Sequence, residues 1–285
     1  MKIGIIGYGY VGGATGKGFG SSSKNEVLWY DKFKKGKNTL EEVVKNSEFI
    51  FVCVPTPLIR DYSALDMSIV DSVVDEVAPK IKNTDKILII KSTVLPGRTK
   101  VFQEKYPNVN FVMNPEFLTQ KNANKDFLNP SRTIIGSSRK EVSERVKSAY
   151  KTILPKGQKY FLTDTNTAEI AKLMSNLILA SKVLLANEFY DLSQKIGADY
   201  DMVKEVAEAD PRIGTHLGAP GLDGERGFGG ACFPKDMVGL LSFAKKEKVD
   251  MSALEAIWEK NLKIRKVRDW EKMDNAFGRG ASKKK

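Results

Sequence analysis

The chain has 285 residues with 46 basic and 35 acidic side chains, so its formal net charge is +11. Its composition is typical of a globular, water-soluble protein, and no apolar run reaches the roughly 18–20 residues of a membrane helix. Two cysteines imply no disulfide framework and fit a cytoplasmic protein. Because the basic residues are spread along the chain without a nucleic-acid-binding motif, we attribute the charge to the solvated surface, with mild support for phosphate-bearing ligands.

Short apolar runs dominate the first 163 residues and predict strands that are buried on both faces. In chain order they are 2–7, 25–31, 48–55, 86–93, 109–114, 132–136 and 158–163. Amphipathic patterns at 66–81 and 140–154 predict helices between them. The alternation predicts an α/β fold with a Rossmann-like, doubly wound sheet.

A glycine-rich turn follows the first strand and reads GYGYVG, residues 7–12. An acid, Asp31, ends the second strand at close to the spacing of a dinucleotide-binding unit. The glycines would let backbone N–H groups approach a pyrophosphate, while Asp31 would bind the adenosine ribose and favour NAD over NADP. The cofactor-binding candidates in this unit are Gly7, Gly9, Tyr10, Val11, Gly12 and Asp31.

The segment 164–196 contains neither Gly nor Pro until Gly197 and has apolar residues in helical register. It predicts one helix of about 30 residues, too long for a typical core element, which we interpret as a connector and as the packing element of a homodimer. We therefore expect an NAD-binding domain at 1–163, an all-α central dimerisation domain at 164–273 and a disordered basic tail at 274–285.

Lys172 and Asn176 are four residues apart on this helix and share a face. The local sequence is compatible with a surface lysine and equally with an interior one. Glu169, three residues before Lys172, is most simply its ion-pair neighbour, and we assign it no chemical role.

Several motifs in one order carry a resemblance to a known family. They are GYGYVG (7–12), VPTP (54–57), KSTVLPG (91–97), NPEFL (114–118), AEIAKLMSN (168–176), DPRIG (210–214) and GFGGACFPKD (227–236). With them the chain resembles the nucleotide-sugar dehydrogenases of the UDP-glucose/GDP-mannose dehydrogenase family. The resemblance implies a four-electron, NAD-dependent oxidation of a primary alcohol, as in UDP-glucose, to the uronic acid, a step of polysaccharide biosynthesis.

The resemblance also implies roles for individual residues. Cys232 would attack the intermediate aldehyde and give a thiohemiacetal, which a second oxidation converts into a thioester. Lys172 would stabilise the oxyanion with the help of Asn176, and Asp236 would act with the lysine on the hydrolytic water. Cys53, inside FIFVCVP, is better interpreted as a buried structural cysteine.

Other residues of these motifs match further contacts of the family. Glu116 is an acid/base candidate, the Thr93 hydroxyl would organise water or substrate, and Arg212 would reach the sugar nucleotide, in some members across a dimer interface. Further cofactor contacts are expected at Pro55, Thr56 and Thr93. Substrate contacts are expected at Glu116, Phe117, Leu118, Lys172, Asn176, Arg212, Phe228 and Gly229.

The chain departs from the family pattern at three points. Gln120 stands where a second glutamate is usual, the segment after Asp31 is short, and no residues correspond to a third domain that binds the nucleotide. Glycines 227, 229 and 230 are expected to let the loop backbone approach the sugar. With His216 as the only histidine, we predict no metal site.

Two alternatives remain open. A β-hydroxyacid-type dehydrogenase also places Lys and Asn four residues apart on its central helix, but it performs one hydride transfer and needs no cysteine. The chain could instead be a catalytically idle NAD-binding module, although a scaffold would need none of Lys172, Asn176, Cys232 and Asp236.

Overall fold

The computed structural model describes residues 1–36, 38–273 and 276–278, with Gln120 described by its backbone. The chain forms two compact units. The first comprises Met1–Thr56 and Asp66–Lys172, and the second comprises Pro57–Leu65 and the residues from Leu173 onward. The division therefore falls between 172 and 173, within the long helix, whereas the sequence predicts a boundary near 163.

The first unit contains a seven-stranded sheet in the order β2-β1-β3-β4-β5-β6-β7. The strands are β1 (Lys2–Ile6), β2 (Glu26–Tyr30), β3 (Phe49–Val52), β4 (Ile87–Ile90), β5 (Asn110–Met113), β6 (Thr133–Gly136) and β7 (Tyr160–Thr163). Each lies inside one of the predicted apolar runs, and β1 to β5 are parallel. The predicted doubly wound sheet is confirmed.

Helices cover both faces of this sheet. They are α1 (Tyr10–Gly20), α2 (Leu40–Asn46), α3 (Ser68–Val77), α4 (Arg98–Lys105), α5 (Ala123–Leu128) and α6 (Lys140–Tyr150). Ile50 and Val52 of β3 belong to one hydrophobic core, and Phe49 and Phe51 belong to the other. Successive residues of a strand point to opposite faces, so a strand between two cores has to be apolar throughout.

The last two strands, β6 and β7, are parallel to each other and run opposite to β1–β5. β6 runs antiparallel to β5, which it meets at Met113 and Gly136. The connection between them therefore stays at the edge of the sheet where the parallel strands end. The NPEFL motif begins this connection and is thereby placed at the carboxyl edge, where open α/β sheets bind their ligands.

The long helix α7 spans Thr165–Ile196 and has 32 residues, as predicted. The second unit continues with α8 (Tyr200–Glu208), α9 (Phe233–Glu247) and α10 (Ser252–Ile264). None of the helices in the described residues is long and apolar enough to cross a membrane.

The loop 57–65 belongs to the second unit, where it contacts residues 276–278. Leu58 forms bridges with Leu65 and with Phe277, and its N–H donates to the carbonyl of Ala276 over 3.0 Å. Of the predicted tail 274–285, the structure thus shows 276–278 in a bridge, and the other residues lie outside the described part.

Candidate active site

The glycine-rich turn connects β1 to α1. Gly7 has a φ of +86°, in the left-handed region that favours glycine, and its N–H donates to the carbonyl of Tyr30 over 2.9 Å. A Cβ on Gly12 would lie 1.9 Å from the Gly7 carbonyl oxygen, whereas a Cβ on Gly9 would meet no atom within 4 Å. Gly7 and Gly12 are therefore required by the turn itself, while Gly9 leaves open space above it.

The first residues of α1 are compatible with a phosphate ligand. Gly9 is the N-cap residue, and no side chain caps the helix there. Tyr10 and Val11 follow it as the first two helical residues. Since the first N–H groups of a helix favour an anion, the pyrophosphate of NAD fits this end of α1.

Asp31 follows β2 and is held by two backbone groups. Its Oδ2 accepts a hydrogen bond from the Tyr8 N–H over 2.7 Å, and its Oδ1 accepts one from the Phe33 N–H over 2.9 Å. Lys34 donates from Nζ to the Tyr8 carbonyl over 2.7 Å. The acid thus both supports the glycine-rich turn and lies where an adenosine ribose is expected.

The other cofactor candidates follow neighbouring strands. Pro55 and Thr56 come after β3, with Pro55 exposed and Thr56 buried, and Thr93 comes after β4 and is half-buried. The carboxyl ends of parallel strands meet at one edge of a sheet, so these residues share that edge with Gly7 and Asp31.

A buried ion pair joins Lys172 to the NPEFL motif. Its Nζ lies 3.1 Å from Oε1 of Glu116, and the two side chains are only 4% and 7% exposed. Oε2 of Glu116 accepts from the Leu118 N–H over 2.6 Å. Two cations lie near the Phe117 ring, with Lys172 Nζ 5.2 Å and the Arg132 guanidinium 3.9 Å from its centre. Of the two alternatives for Lys172, the interior lysine is therefore correct.

Glu169 has a different role from the one expected. Its carboxylate accepts hydrogen bonds from the N–H groups of Gly97 over 2.6 Å and Thr99 over 2.9 Å, at the start of α4. The side chain is buried, and this burial raises the pKa of its carboxyl. The prediction that Glu169 pairs with Lys172 is wrong, because Glu169 caps α4 while Glu116 supplies the counter-charge.

Sequence reasoning missed a second buried lysine beside this pair. Lys91 Nζ donates to Oδ1 of Asn114 over 3.0 Å and to the hydroxyl of Tyr150 over 3.3 Å. Burial lowers the pKa of Lys91 to about 8, and burial raises the pKa of the nearby Cys53 thiol to about 12. Lys91 and Glu116 both line a cavity of about 260 Å³. The only available signal was a lysine directly after the apolar run of β4.

The second unit holds the candidate nucleophile. Cys232 is the N-cap residue of α9, is half-buried and is not disulfide-bonded. Asp236, one turn later, is completely buried. Its Oδ2 accepts from Asn176 Nδ2 over 2.6 Å, and its Oδ1 lies 2.6 Å from Lys235 Nζ. Asn176 and Asp236, both candidate residues, are thus in direct contact, which neither their spacing nor a sequence pattern predicts. Lys235 was not among the candidate residues.

Two of the glycines before Cys232 make close contacts within the second unit. A Cβ on Gly227 would lie 2.3 Å from Oδ1 of Asn261, and one on Gly229 would lie 2.3 Å from Arg265 Nη2. Both glycines are therefore required by contacts within the chain, so approach of a sugar is not needed to explain them. A Cβ on Gly230 would meet no atom within 4 Å.

Two candidate substrate contacts have side chains engaged elsewhere in this unit. The Phe228 ring is buried and stacks at 6.2 Å on Trp258. Arg212 is 88% exposed and forms an ion pair with Asp210. Among the described residues, no group of three His, Cys, Asp or Glu side chains could hold a metal ion.

Comparison with known families gives two matches over most of the chain. The NAD binding domain of the UDP-glucose/GDP-mannose dehydrogenase family matches residues 30–154, and the central domain of the same family matches residues 166–263. The matched segments include the candidate site residues described above: the first contains Asp31 and Glu116, and the second contains Lys172 and Cys232.

Individual proteins agree with these matches. The UDP-glucose 6-dehydrogenase of Rickettsia bellii is 38% identical over 224 residues, which are 77% of this chain and 50% of that protein. A UDP-glucose dehydrogenase structure from Pyrobaculum islandicum has a TM-score of 0.81 at 27% identity and covers 92% of this chain and 68% of its own. A UDP-D-ManNAc dehydrogenase structure from Pyrococcus horikoshii has a TM-score of 0.77 at 25% identity, with coverages of 93% and 69%. The chain spans about half the length of the curated relatives it matches.

Proposed function

Because the chain belongs to the UDP-glucose/GDP-mannose dehydrogenase family, we propose that it oxidises the primary alcohol of a nucleotide sugar to the carboxylic acid with two equivalents of NAD. One observation carries the proposal: a cysteine, Cys232, caps the start of α9 one turn before the buried Asp236, whose carboxylate is bound by Asn176. A single oxidation would require no thiol at this place, whereas oxidation to the acid does.

The thiol solves the difficulty of the second oxidation. An aldehyde yields a hydride readily only after a nucleophile has added to its carbonyl carbon. Addition of the Cys232 sulfur gives a thiohemiacetal, loss of a hydride gives a thioester, and water then cleaves the C–S bond to release the acid and the thiol. The positive end of α9 favours the thiolate that starts this sequence.

Bound NAD supplies the acceptor for each hydride. The start of α1 would bind its pyrophosphate and Asp31 its ribose; the helix end without a side-chain cap and the position of Asp31 beside the glycine-rich turn support this assignment. Pro55, Thr56 and Thr93 extend these contacts, and the Thr93 hydroxyl orients water or substrate at the end of β4.

Charge stabilisation is assigned to α7. Lys172 and Asn176 are one helical turn apart, and we assign to them the oxyanion that forms on the reacting carbon. Glu116 keeps the Lys172 ammonium oriented and serves as an acid/base, while Asp236 acts on the hydrolytic water. Substrate contacts are assigned to Phe117, Leu118 and the backbone around Phe228 and Gly229.

The test counts reduced cofactor for each sugar consumed. The protein is incubated with NAD and a panel of UDP- and GDP-sugars, in the wild type and in Cys232→Ser. Two NADH per sugar, with the acid product abolished in Cys232→Ser, is the expected result. One NADH per sugar with an unaffected Cys232→Ser variant would show a single-hydride dehydrogenase, and no turnover of any sugar would favour an idle NAD-binding module.

A homodimer is the second part of the proposal. Large apolar side chains stand exposed along α7 at Ile170, Met174, Ile178, Leu185, Phe189, Leu192 and Ile196. Such a stripe on a 32-residue helix fits packing against a second copy. In a dimer, the exposed Arg212 could reach the nucleotide bound by its partner. We place the reaction in the cytoplasm, with its uronic acid product entering polysaccharide biosynthesis.

Light scattering tests the dimer. The wild type is expected at twice the mass of one chain, and Phe189→Glu at the mass of one chain. Val101→Glu, at an exposed apolar residue of α4, is the matched control and should leave the mass unchanged. A monomeric wild type would contradict the dimer.

A further inference from the structure

The loop that leads to Cys232 is held by side chains from distant parts of the second unit. The N–H of Gly227 donates over 3.2 Å to Oδ1 of Asn187, which lies in the C-terminal third of α7. The N–H and the carbonyl of Phe228 both bond the side-chain amide of Asn261, over 2.8 and 3.0 Å. These two asparagines satisfy the first part of the loop.

The last anchor before the nucleophile is of another kind. The N–H of Gly230 donates to Oδ2 of Asp269 over 3.0 Å, and the other oxygen of Asp269 lies 3.0 Å from Arg265 Nη2. Arg265 is a charged side chain with only 2% exposure, and it also contacts Asp223 at 2.6 Å. Gly229 packs so closely on this pair that no side chain fits there.

The pair of Arg265 and Asp269 holds the backbone just before Cys232. Gly230 is two residues before Cys232, and Gly230 has a φ of +76° and no Cβ to restrict it. A glycine this free would let the start of α9 fray, unless its backbone is held from outside. Asp269 is the group that holds it, and Arg265 fixes Asp269.

We propose that Arg265 and Asp269 form a clamp that positions the Cys232 thiol at the start of α9, so that both are positioning residues for the nucleophile. The inference rests on the proposed function for its catalytic meaning. We assign the clamp residues no contact with the reacting carbon or the cofactor, and they act through the Gly230 backbone. No motif of the sequence contains them, since they follow α10 and lie more than 30 residues after the loop.

The test compares three substitutions in the full chain. Asp269→Leu removes the acceptor for Gly230, Asp269→Asn keeps an oxygen for it, and Asp223→Asn is the matched control because it changes the same arginine's other partner. Thermal unfolding verifies that each variant is folded. Should Asp269→Leu fail to fold, Asp269→Ala replaces it, since a smaller side chain cannot overpack the site.

Three measurements report on the clamp. In Asp269→Leu we expect faster amide hydrogen exchange in residues 227–232, at least threefold slower alkylation of Cys232 by iodoacetamide at pH 7, and at least tenfold lower kcat with an unchanged KM for NAD. Asp269→Asn should restore most of each value, and Asp223→Asn should resemble the wild type. If the role of Asp269 were purely structural, Asp269→Leu would lower the melting temperature without lowering kcat at an unchanged KM, and Asp269→Asn would not restore kcat.

The clamp and the proposed function can fail separately. Equal effects of Asp269→Leu and Asp223→Asn, or unchanged exchange in 227–232, would overturn the clamp. A wild type that oxidises no nucleotide sugar would contradict the proposed function, while the exchange and alkylation results would still decide the clamp.

Discussion

The Lys172 ammonium lies 3.1 Å from the Glu116 carboxylate, and neither side chain is more than 7% exposed. Two charges removed from water in this way stabilise each other only as a pair, because either one alone retains the full cost of its desolvation. The pair therefore matters to stability as well as to any chemistry of Lys172.

Breaking the pair from one side should be costly. Glu116→Gln keeps an oxygen for the Leu118 N–H but removes the counter-charge of Lys172, so we expect a loss of roughly 3 kcal/mol in the free energy of unfolding. Lys172→Met combined with Glu116→Gln should recover part of this loss. Urea unfolding of the two single variants and the double variant measures the coupling.

An exposed pair of the same unit provides the control. Lys105 and Asp75 lie 2.7 Å apart, with side chains about half exposed, and water screens their interaction. Asp75→Asn should therefore cost far less than Glu116→Gln. Equal costs for the two substitutions would contradict a tightly coupled buried pair.

The glycines of α1 separate what the fold requires from what a cofactor requires. Gly12→Ala would push a Cβ to within 1.9 Å of the Gly7 carbonyl oxygen, so we expect a loss of at least about 2 kcal/mol in unfolding free energy. Gly9→Ala meets no protein atom within 4 Å, so its stability should be that of the wild type while its NAD affinity falls at least tenfold. Melting temperatures and calorimetric NAD titration give the two readings.

Gly13→Ala is the matched control for this series. Its Cβ also meets no atom within 4 Å, and the residue lies inside α1. The substitution should raise stability by about 0.5–1 kcal/mol through helix propensity. Unchanged NAD affinity in Gly9→Ala would argue against a pyrophosphate at this turn.

Glu169 should prove structural. Glu169→Ala removes the acceptor from the Gly97 and Thr99 N–H groups, and we expect a loss of roughly 2–3 kcal/mol in unfolding free energy. Glu169→Gln keeps one oxygen and should lose about half as much. Thr39→Ala, which removes an exposed helix cap from α2, is the comparison and should cost about 1 kcal/mol. An unaffected Glu169→Ala variant would contradict the capping role.

The fold could be predicted because its determinants are local. A strand between two cores must be apolar at every residue, and β3 shows this in four consecutive letters. The turn of Gly7 and Gly12 and the 32-residue helix are similarly written in adjacent residues. The reversed direction of β6 and β7 was not predicted, since apolar content does not encode strand direction.

The polar partners of the site could not be predicted from pattern. Lys172 has a carboxylate three residues before it in Glu169, yet it pairs with Glu116, 56 residues away, because α7 turns Glu169 toward α4. The glycines before Cys232 likewise depend on Arg265 and Asn261, which only the folded chain brings near. Tertiary packing decides which acid pairs with a buried lysine, and the periodicity of the sequence does not predict it.

Lys91 allows a prediction about pH. Burial lowers its pKa from 10.5 to about 8, so between these values the unfolded chain holds a proton that the folded chain has released. Stability must therefore rise with pH in this interval, by at most about 1.4 kcal/mol per pH unit, and be independent of Lys91 titration below it. Lys91→Met cannot show this rise. The difference in unfolding free energy between wild type and Lys91→Met should thus be flat from pH 6.5 to 7.5 and increase toward pH 9. Lys105→Met is the control, because Lys105 is a surface ammonium whose pKa is raised by Asp75. Its difference from the wild type should be flat over the whole range. A flat difference for Lys91→Met would mean that its ammonium keeps its charge in the folded chain.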